Sequence, residues 1–209
     1  MIKRIFDVTA AVAGIILTLP ILLCIASLIK REDAGLILYR GERIGLSGKP
    51  FRIFKFRTMV VNAESLGGPS TSDDDSRITR IGKFLRRYKL DELPQLINVL
   101  TGDMSIVGPR PEVKRYTDMY TEEEKAILAV RPGITDWASI WNADEGAVLA
   151  GTDDPDKAYL ELIRPNKLKL QMKYVRERSF RVDLQIIFLT ILAMLQPESQ
   201  AVREIRQGK

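Results

Sequence analysis

The sequence predicts a mixed α/β protein that is rich in helix and carries an N-terminal membrane segment. Three observations lead to this fold class. Residues 8–29 contain no charged side chain, which is typical of a membrane segment. Residues 36–39 and 51–58 have the short apolar and alternating patterns of β-strands. Further along the chain, apolar side chains recur at helical spacing, for example in residues 78–89.

The composition limits the chemistry that the chain can perform. It has no histidine, and its single cysteine, Cys24, lies in the apolar segment. Zinc sites built on histidine or cysteine, histidine general bases and intramolecular disulfide bonds are therefore excluded. Acid–base chemistry must use carboxylates, lysine or tyrosine, and a bound metal is expected to be a hard cation held by oxygen atoms. The net charge of +5 suits anionic lipid, nucleic acid or a phosphorylated substrate without choosing among them.

The apolar segment is long enough to cross a bilayer. As a helix, residues 8–29 would extend roughly 33 Å, compared with about 30 Å for the hydrocarbon core. A re-entrant arrangement, in which the chain bends and returns to the same side, is also compatible with the sequence. Pro20 lies inside the segment, where proline bends a helix. Basic residues flank both ends, which favours the cytoplasmic side for each. These residues leave both arrangements open.

The segment that follows the anchor is predicted to form a β-hairpin. Residues 36–39 and 51–58 are the two strands, and the glycine-rich residues 41–50 form the turn between them. Residues 65–76 are rich in glycine, serine and aspartate, which is typical of a loop.

The remaining chain is predicted to be mostly helical. The segments predicted to be helical are residues 78–89, 91–100, 119–130, 157–178 and 182–195, and the first of them has an apolar stripe at helical spacing. Asp91 is expected to cap the second segment, and Pro165 to interrupt the fourth. The basic, amphipathic first segment suits anionic headgroups, although nucleic-acid-binding helices have a similar pattern. The apolar last segment is too short to span comfortably, so a core or interfacial helix is expected.

The adjacent carboxylates Asp91 and Glu92 are candidates for chemistry on phosphate. A helix start stabilises carboxylates and also a phosphate brought to the same place. A carboxylate can attack phosphorus to form an acyl-phosphate, and a second carboxylate can move protons. The alternative is that the pair only caps the helix.

Several cations on other segments suit a diphosphate ligand. Arg110 lies between two prolines in the sequence Gly-Pro-Arg-Pro, a rigid turn that presents one guanidinium group. Further candidates are Lys55, Arg57, Arg77 and Arg131.

Long motifs in this chain resemble those of a known family. They are KFRTM at 55–59, RITRIGKFLRR at 77–87, LDELPQLINVLTGDMSIVGPRP at 90–111 and RPGIT at 131–135. In this order they resemble the bacterial sugar transferases, the small monotopic phosphoglycosyl transferases that start glycan assembly. The resemblance extends from the anchor to near residue 190.

The resemblance implies a reaction and the residues that perform it. Such enzymes move a phosphosugar from a UDP-sugar to a polyprenyl phosphate and release UMP, with Mg²⁺ as cofactor. Asp91 would be the nucleophile and a metal ligand, and Glu92 would deprotonate the acceptor phosphate or position groups. Arg110 would contact phosphate. Structural or phosphate-binding roles are expected for Lys55, Arg57, Arg77, Arg86 and Arg131.

The resemblance also implies the membrane arrangement. Residues 1–31 would form a re-entrant helix–break–helix anchor with Pro20 at the break, and residues 32–209 a catalytic domain with interfacial helices. The protein would be monotopic, on the cytoplasmic face of the bacterial inner membrane. Two departures are Leu19, where some members have serine, and Asp136, where many have glycine.

The sequence is also compatible with other functions and partners. A non-catalytic scaffold that gathers anionic lipid or partner enzymes is the alternative, and a tethered nucleic-acid-binding module is disfavoured. No nucleic-acid partner is expected, and a homodimer is compatible with the sequence. The sugar is not identified, but residues 65–76 and 142–156 are expected to hold specificity residues.

Overall fold

The N-terminal helix α1 runs from Ile2 to Asp33. The computed structural model describes residues 1–196 and 198–206. Within these residues, α1 is the one helix long and apolar enough to cross a membrane. Side chains such as Ile16 and Leu17 are exposed on it, because only a small share of its apolar stretch packs against the protein. This exposed apolar surface indicates membrane association.

Helix α1 continues through Pro20 without interruption. The expected break in the helix is therefore wrong for this structure. The physical reason is that a proline removes one backbone hydrogen bond and bends a helix, while the turns on either side keep their own bonds. Whether the segment is re-entrant does not depend on this break alone and stays a prediction.

Helix α1 is bound to the rest of the protein by its polar residues as well as its apolar ones. Asp7 is buried and accepts hydrogen bonds from Ser105 Oγ at 2.8 Å and from the Ile106 amide at 3.0 Å. Lys3 Nζ lies 2.7 Å from Asp183 Oδ2. Since these partners come from distant parts of the sequence, α1 is an integral part of the fold.

The strands form three short pairs in the described residues. They are β1 (Leu38–Tyr39) with β4 (Lys55–Phe56), β2 (Glu42–Ile44) with β3 (Pro50–Arg52), and the parallel pair β5 (Ser105–Val107) with β6 (Gly133–Thr135). The predicted hairpin is confirmed as two nested antiparallel pairs, with a 3₁₀ turn at Leu46–Gly48. The predicted strand 51–58 is divided into β3 and β4, and between the two pairs the Ile53 amide donates to the Gly41 carbonyl. The parallel pair was not predicted.

The helices agree in part with their predicted positions. The α-helices after α1 are α2 (Arg80–Arg87), α3 (Gln95–Thr101), α4 (Lys114–Thr117), α5 (Trp137–Trp141), α6 (Glu145–Leu149), α7 (Pro155–Ala158), α8 (Arg164–Glu177), α9 (Phe180–Leu195) and α10 (Gln200–Arg206). The segments predicted at 78–89 and 182–195 are confirmed as α2 and α9. The interruption near Pro165 is confirmed by a π-helical turn, Tyr159–Ile163, just before α8.

Two helix predictions are wrong in detail. Asp91 does not cap a helix, because it lies within a separate 3₁₀ turn, Leu90–Glu92, and Pro94 occupies the cap position of α3. The segment 119–130 forms only a 3₁₀ turn, Glu124–Ala129. At its start, the Thr121 amide donates to the Glu124 side chain, and the Glu124 amide donates to the Thr121 hydroxyl. The turn ends before the Arg-Pro-Gly sequence.

The apolar core consists of several clusters, and α1 contributes to two of them. Ala11 packs with Ile53, Val99 and Met104, which joins α1 to the hairpin and α3. Further along, Ile25 and Ile29 pack with Phe56 and Leu85, which joins α1 to β4 and α2. The largest cluster lies between β5, α5, α8 and α9; its members are Val107, Trp137, Ile140, Tyr174, Ile186 and Leu189. The turn that carries Asp91 and Glu92 is thus supported on both sides.

Candidate active site

The carboxylate pair lies on a turn between α2 and α3. The turn begins after Lys89, whose φ of 55° places it in the left-handed region, so α2 does not continue into the turn as one helix. Asp91 and Glu92 follow within the 3₁₀ turn. The turn contacts β4, so both side chains face Lys55 on that strand.

Glu92 is held by two cations. Lys55 Nζ lies 2.8 Å from Glu92 Oε1. Arg110 Nη1 donates to Glu92 Oε2 at 3.0 Å, and its Nη2 donates to Oε1, so this pair is bidentate. Burial alone would raise the pKa of Glu92, but Arg110 and Lys55 hold it well below its usual value. Glu92 is therefore a fixed anion that organises two cations.

Asp91 is buried but has free oxygen atoms. No described residue donates a hydrogen bond to its carboxylate, and the nearest cation is Lys55 Nζ, 3.9 Å from Oδ2. Burial raises the pKa of Asp91 against the opposing charge of Lys55, and the neighbouring Glu92 adds to the rise. The two adjacent carboxylates thus have different roles: Glu92 is occupied, and Asp91 is available to a ligand.

Arg86 is a third cation at this site. Its Nε donates to Thr58 Oγ1 at 2.9 Å. Among the described residues its guanidinium forms no ion pair within 4 Å, although Asp91 and Asp75 lie within electrostatic reach. Burial lowers the pKa of Arg86, and these carboxylates oppose the change. Its terminal nitrogens are available to bind an anion next to Asp91.

The other three predicted cations have protein partners elsewhere. Arg57 pairs with Asp33 at the end of α1 and donates to the Leu36 carbonyl at 2.6 Å. Arg77 pairs with Asp75 at 2.7 Å. Arg131 Nε donates to the Gly102 carbonyl at 2.7 Å. The structure therefore groups Lys55, Arg86 and Arg110 around the carboxylates and uses these three arginines to hold turns together.

The turn that carries Arg110 is fixed by the parallel strand pair. The Gly108 amide donates to Thr135 at 3.0 Å, and the Gly133 amide donates to Pro109 at 3.0 Å. The two glycines face each other so closely that a Cβ atom on either would clash with backbone atoms. This close contact between two distant segments sets the position of the Arg110 backbone.

A buried charge cluster behind this turn was not found from the sequence. Lys167 Nζ lies 2.5 Å from Glu112 Oε1, and the Tyr159 hydroxyl donates to the same oxygen at 2.8 Å. Burial alone would lower the pKa of Lys167, but Glu112 holds it well above its usual value. No spacing in the sequence connects residues 112 and 167, so only the fold reveals the pair.

A cavity of about 300 Å³ lies beside the 65–76 loop. Its lining residues are Leu66, Gly67, Gly68, Ser70, Asp75, Ser76, Arg77, Asp154, Pro155 and Asp156. Parts of both segments that were expected to hold specificity residues therefore border one cavity. The chain that follows Lys55 and β4 contacts the cavity lining, because the Val60 amide donates to the carbonyl of Arg77, a lining residue, at 2.9 Å.

The carboxylate pair suits a divalent cation that is shared with a ligand. The described residues contain no group of three or more carboxylate, cysteine or histidine side chains that could hold a metal alone. Mg²⁺ commonly takes one or two protein carboxylates together with substrate phosphates. Asp91 has the free oxygens for this, whereas those of Glu92 are paired.

The known proteins that this chain resembles in sequence are named as sugar transferases or sugar-phosphate transferases. UDP-glucose:undecaprenyl-phosphate glucose-1-phosphate transferase of Escherichia coli is 37% identical over 196 residues, covering 91% of this chain and 39% of that protein. UDP-N-acetylgalactosamine-undecaprenyl-phosphate N-acetylgalactosaminephosphotransferase of Aeromonas hydrophila is 38% identical over 197 residues, covering 93% and 44%. The uncharacterized sugar transferase EpsL of Bacillus subtilis is 36% identical over 198 residues, covering 95% and 89%.

The chain spans less than half the length of the first two relatives and most of EpsL. The family model described as bacterial sugar transferase matches residues 1–197, nearly the whole chain. This match confirms the resemblance drawn from the sequence motifs. The chain therefore belongs to the bacterial sugar transferase family.

Proposed function

We propose that this chain is a phosphoglycosyl transferase, which moves a phosphosugar from a UDP-sugar to a polyprenyl phosphate and releases UMP. The observation that carries the proposal is the division of the carboxylate pair. Glu92 is paired with Lys55 and Arg110, while Asp91 has free oxygens in a buried, cationic setting. The relatives named as undecaprenyl-phosphate sugar-phosphate transferases support the same class of reaction.

In the first step, an Asp91 carboxylate oxygen attacks the phosphorus that carries the sugar. A phosphorus–oxygen bond to Asp91 forms, the bond from that phosphorus to the bridging diphosphate oxygen breaks, and UMP leaves with the electron pair. In the second step, an oxygen of the polyprenyl phosphate attacks the same phosphorus. The bond to Asp91 breaks, and the free carboxylate is restored.

The cations around Asp91 would stabilise the phosphate charge in both steps. Arg86 has terminal nitrogens free for the diphosphate, and Lys55 lies between the two carboxylates. Glu92 is a strongly held anion with a low pKa, so we assign it the positioning of Lys55 and Arg110 and not proton removal. Asp91 would hold Mg²⁺, which when bound supplies neutralising charge to the diphosphate.

We propose a re-entrant, monotopic arrangement of α1 at the cytoplasmic face of the inner membrane. The exposed apolar side chains of α1 support membrane contact, and Phe84 of α2 and Tyr88, which follows its last residue, are also exposed and suited to the interface. Cysteine-accessibility mapping in intact cells should then find residues 1–4 on the cytoplasmic side, together with Lys49. Labelling of residues 1–4 from outside the cytoplasmic membrane would show a spanning helix instead.

The transferase activity is tested by UMP release. The purified chain with Mg²⁺, polyprenyl phosphate and a panel of UDP-sugars should release UMP with at least one donor. Asp91→Asn should lower the rate by about a thousandfold or more, because the amide is a poor nucleophile. Asp118→Asn, which changes an exposed carboxylate paired with Lys114, serves as the matched control and should keep full activity. Full activity of Asp91→Asn would contradict the role of Asp91, and absence of UMP release from the wild type with every donor would favour a scaffold.

The pH dependence tests the different states of the two carboxylates. Attack requires the Asp91 anion, whose pKa is raised, so UMP release should fall as the pH drops through a value above 3.8. Lys55→Met removes the nearest cation and should move this fall to higher pH. Glu92→Gln removes a like charge and frees two cations, so it should move the fall to lower pH. Shifts in the same direction would contradict this assignment; Lys49→Met, an exposed lysine, is the control.

Substitution of Arg86 tests its role in phosphate binding. Arg86→Met should raise KM for the UDP-sugar about tenfold or more, since a charge-assisted hydrogen bond to phosphate is lost. Arg131→Met removes a structural hydrogen bond to Gly102 and should lower the melting temperature with KM changed by less than about twofold. Equal effects of the two substitutions on KM would show that Arg86 has no special role.

A further inference from the structure

Asp136 is buried and connects three segments of the protein. Its relative exposure is 0%. Oδ1 accepts hydrogen bonds from the Ser139 amide and hydroxyl, each at 2.7 Å, which caps α5. Oδ2 faces the opposite way, and accepts from the Arg110 amide at 3.2 Å and from Gln171 Nε2 at 3.4 Å. The same carboxylate thus caps α5 with one oxygen and binds the Arg110 amide with the other.

The second of these contacts fixes the backbone of Arg110. The Gln171 side chain, fully buried on α8, also donates to the Arg110 carbonyl at 3.3 Å. Both backbone polar groups of Arg110 are therefore bound, its amide by Asp136 and its carbonyl by Gln171. Pro109 and Pro111 have no amide hydrogen, so the Arg110 amide is the only backbone N–H group within residues 109–111.

The Arg110 side chain carries this positioning to the carboxylate pair. Its guanidinium holds both oxygens of Glu92. The negative charge of Asp136 also favours the charged Arg110, after the larger effect of Glu92 on its raised pKa. A shift of the Arg110 backbone would therefore be transmitted to Glu92 and to Lys55, which shares that carboxylate.

We propose that Asp136 is a positioning residue for the transfer reaction, which acts by holding the Arg110 backbone so that the guanidinium meets Glu92. The inference rests on the proposed function for its effect on rate. The positioning itself is a property of the free protein. It gives a role to a residue that the sequence had marked only as a departure from the common glycine.

The competing role for Asp136 is that of a helix cap alone. Ser139 separates the two roles, because it touches only the oxygen that faces α5. Ser139→Ala removes a hydrogen bond on the cap side and leaves the Arg110 contact in place. Asp136→Asn keeps the shape, but its amide can accept on one side only and presents a donor to the other.

The test compares these variants in wild-type and Arg110→Lys backgrounds. Asp136→Asn should lower kcat for UMP release about tenfold or more, as expected for a misplaced phosphate-binding group. Ser139→Ala should lower the melting temperature and keep kcat within about twofold of the wild-type value. In the Arg110→Lys background, Asp136→Asn should change kcat by less than about twofold, because its effect passes through Arg110. Equal losses in both backgrounds, or equal losses for Asp136→Asn and Ser139→Ala, would overturn the proposal.

A second measurement keeps the positioning testable without activity. The guanidinium signals of Arg110 in ¹H–¹⁵N NMR of the full chain report its contact with Glu92, whose two oxygens accept hydrogen bonds from the two Nη atoms. Asp136→Asn should shift these signals, and Ser139→Ala should leave them unchanged. Unchanged Arg110 signals in Asp136→Asn would overturn the positioning role. Absence of UMP release from the wild type, with this NMR change present, would reject the proposed function alone.

Discussion

The three-way contact of Lys55, Glu92 and Arg110 is the constraint on which the site depends. It joins a hairpin strand, the turn between α2 and α3, and the Pro-Arg-Pro turn. Removing one partner from a buried ion pair is strongly destabilising, because it leaves an uncompensated charge. With Glu92 occupied in this way, the neighbouring Asp91 has no donor within hydrogen-bonding distance among the described residues. The arrangement thus produces one occupied and one available carboxylate from adjacent positions.

The rest of the fold holds these three segments in place. Helix α1 packs on the hairpin and α3 through Ala11, and on β4 and α2 through Ile25 and Ile29. The same helix exposes apolar side chains to its surroundings. The membrane-associated helix and the carboxylate pair therefore belong to one packed structure. This fixes the distance between the apolar surface of α1 and Asp91, which matters for the proposed reaction between a soluble donor and a lipid phosphate.

The sequence predicted the parts of this structure that depend on local pattern. Uncharged or strongly apolar runs predicted α1 and α9, apolar periodicity predicted α2, and partial alternation predicted the hairpin. The Asp91-Glu92 pair and the arginine between two prolines were also identifiable from the sequence. Local pattern could not tell which carboxylate is occupied, since Lys55 and Arg110 reach Glu92 from distant segments. It also treated Arg57, Arg77 and Arg131 like Arg86, although nonlocal contacts distinguish them. The position of Asp136 became clear only from the fold.

We propose that Asp91, and not Glu92, is the carboxylate that bonds to phosphorus. The most direct measurement is to incubate the purified chain with Mg²⁺ and a donor that supports UMP release, without polyprenyl phosphate, and to map the phosphosugar by peptide mass spectrometry. The account predicts a stoichiometric adduct on Asp91 that disappears when polyprenyl phosphate is added. An adduct on Glu92 would contradict it. The absence of an adduct on either residue, in a preparation that releases UMP once polyprenyl phosphate is added, would also contradict it.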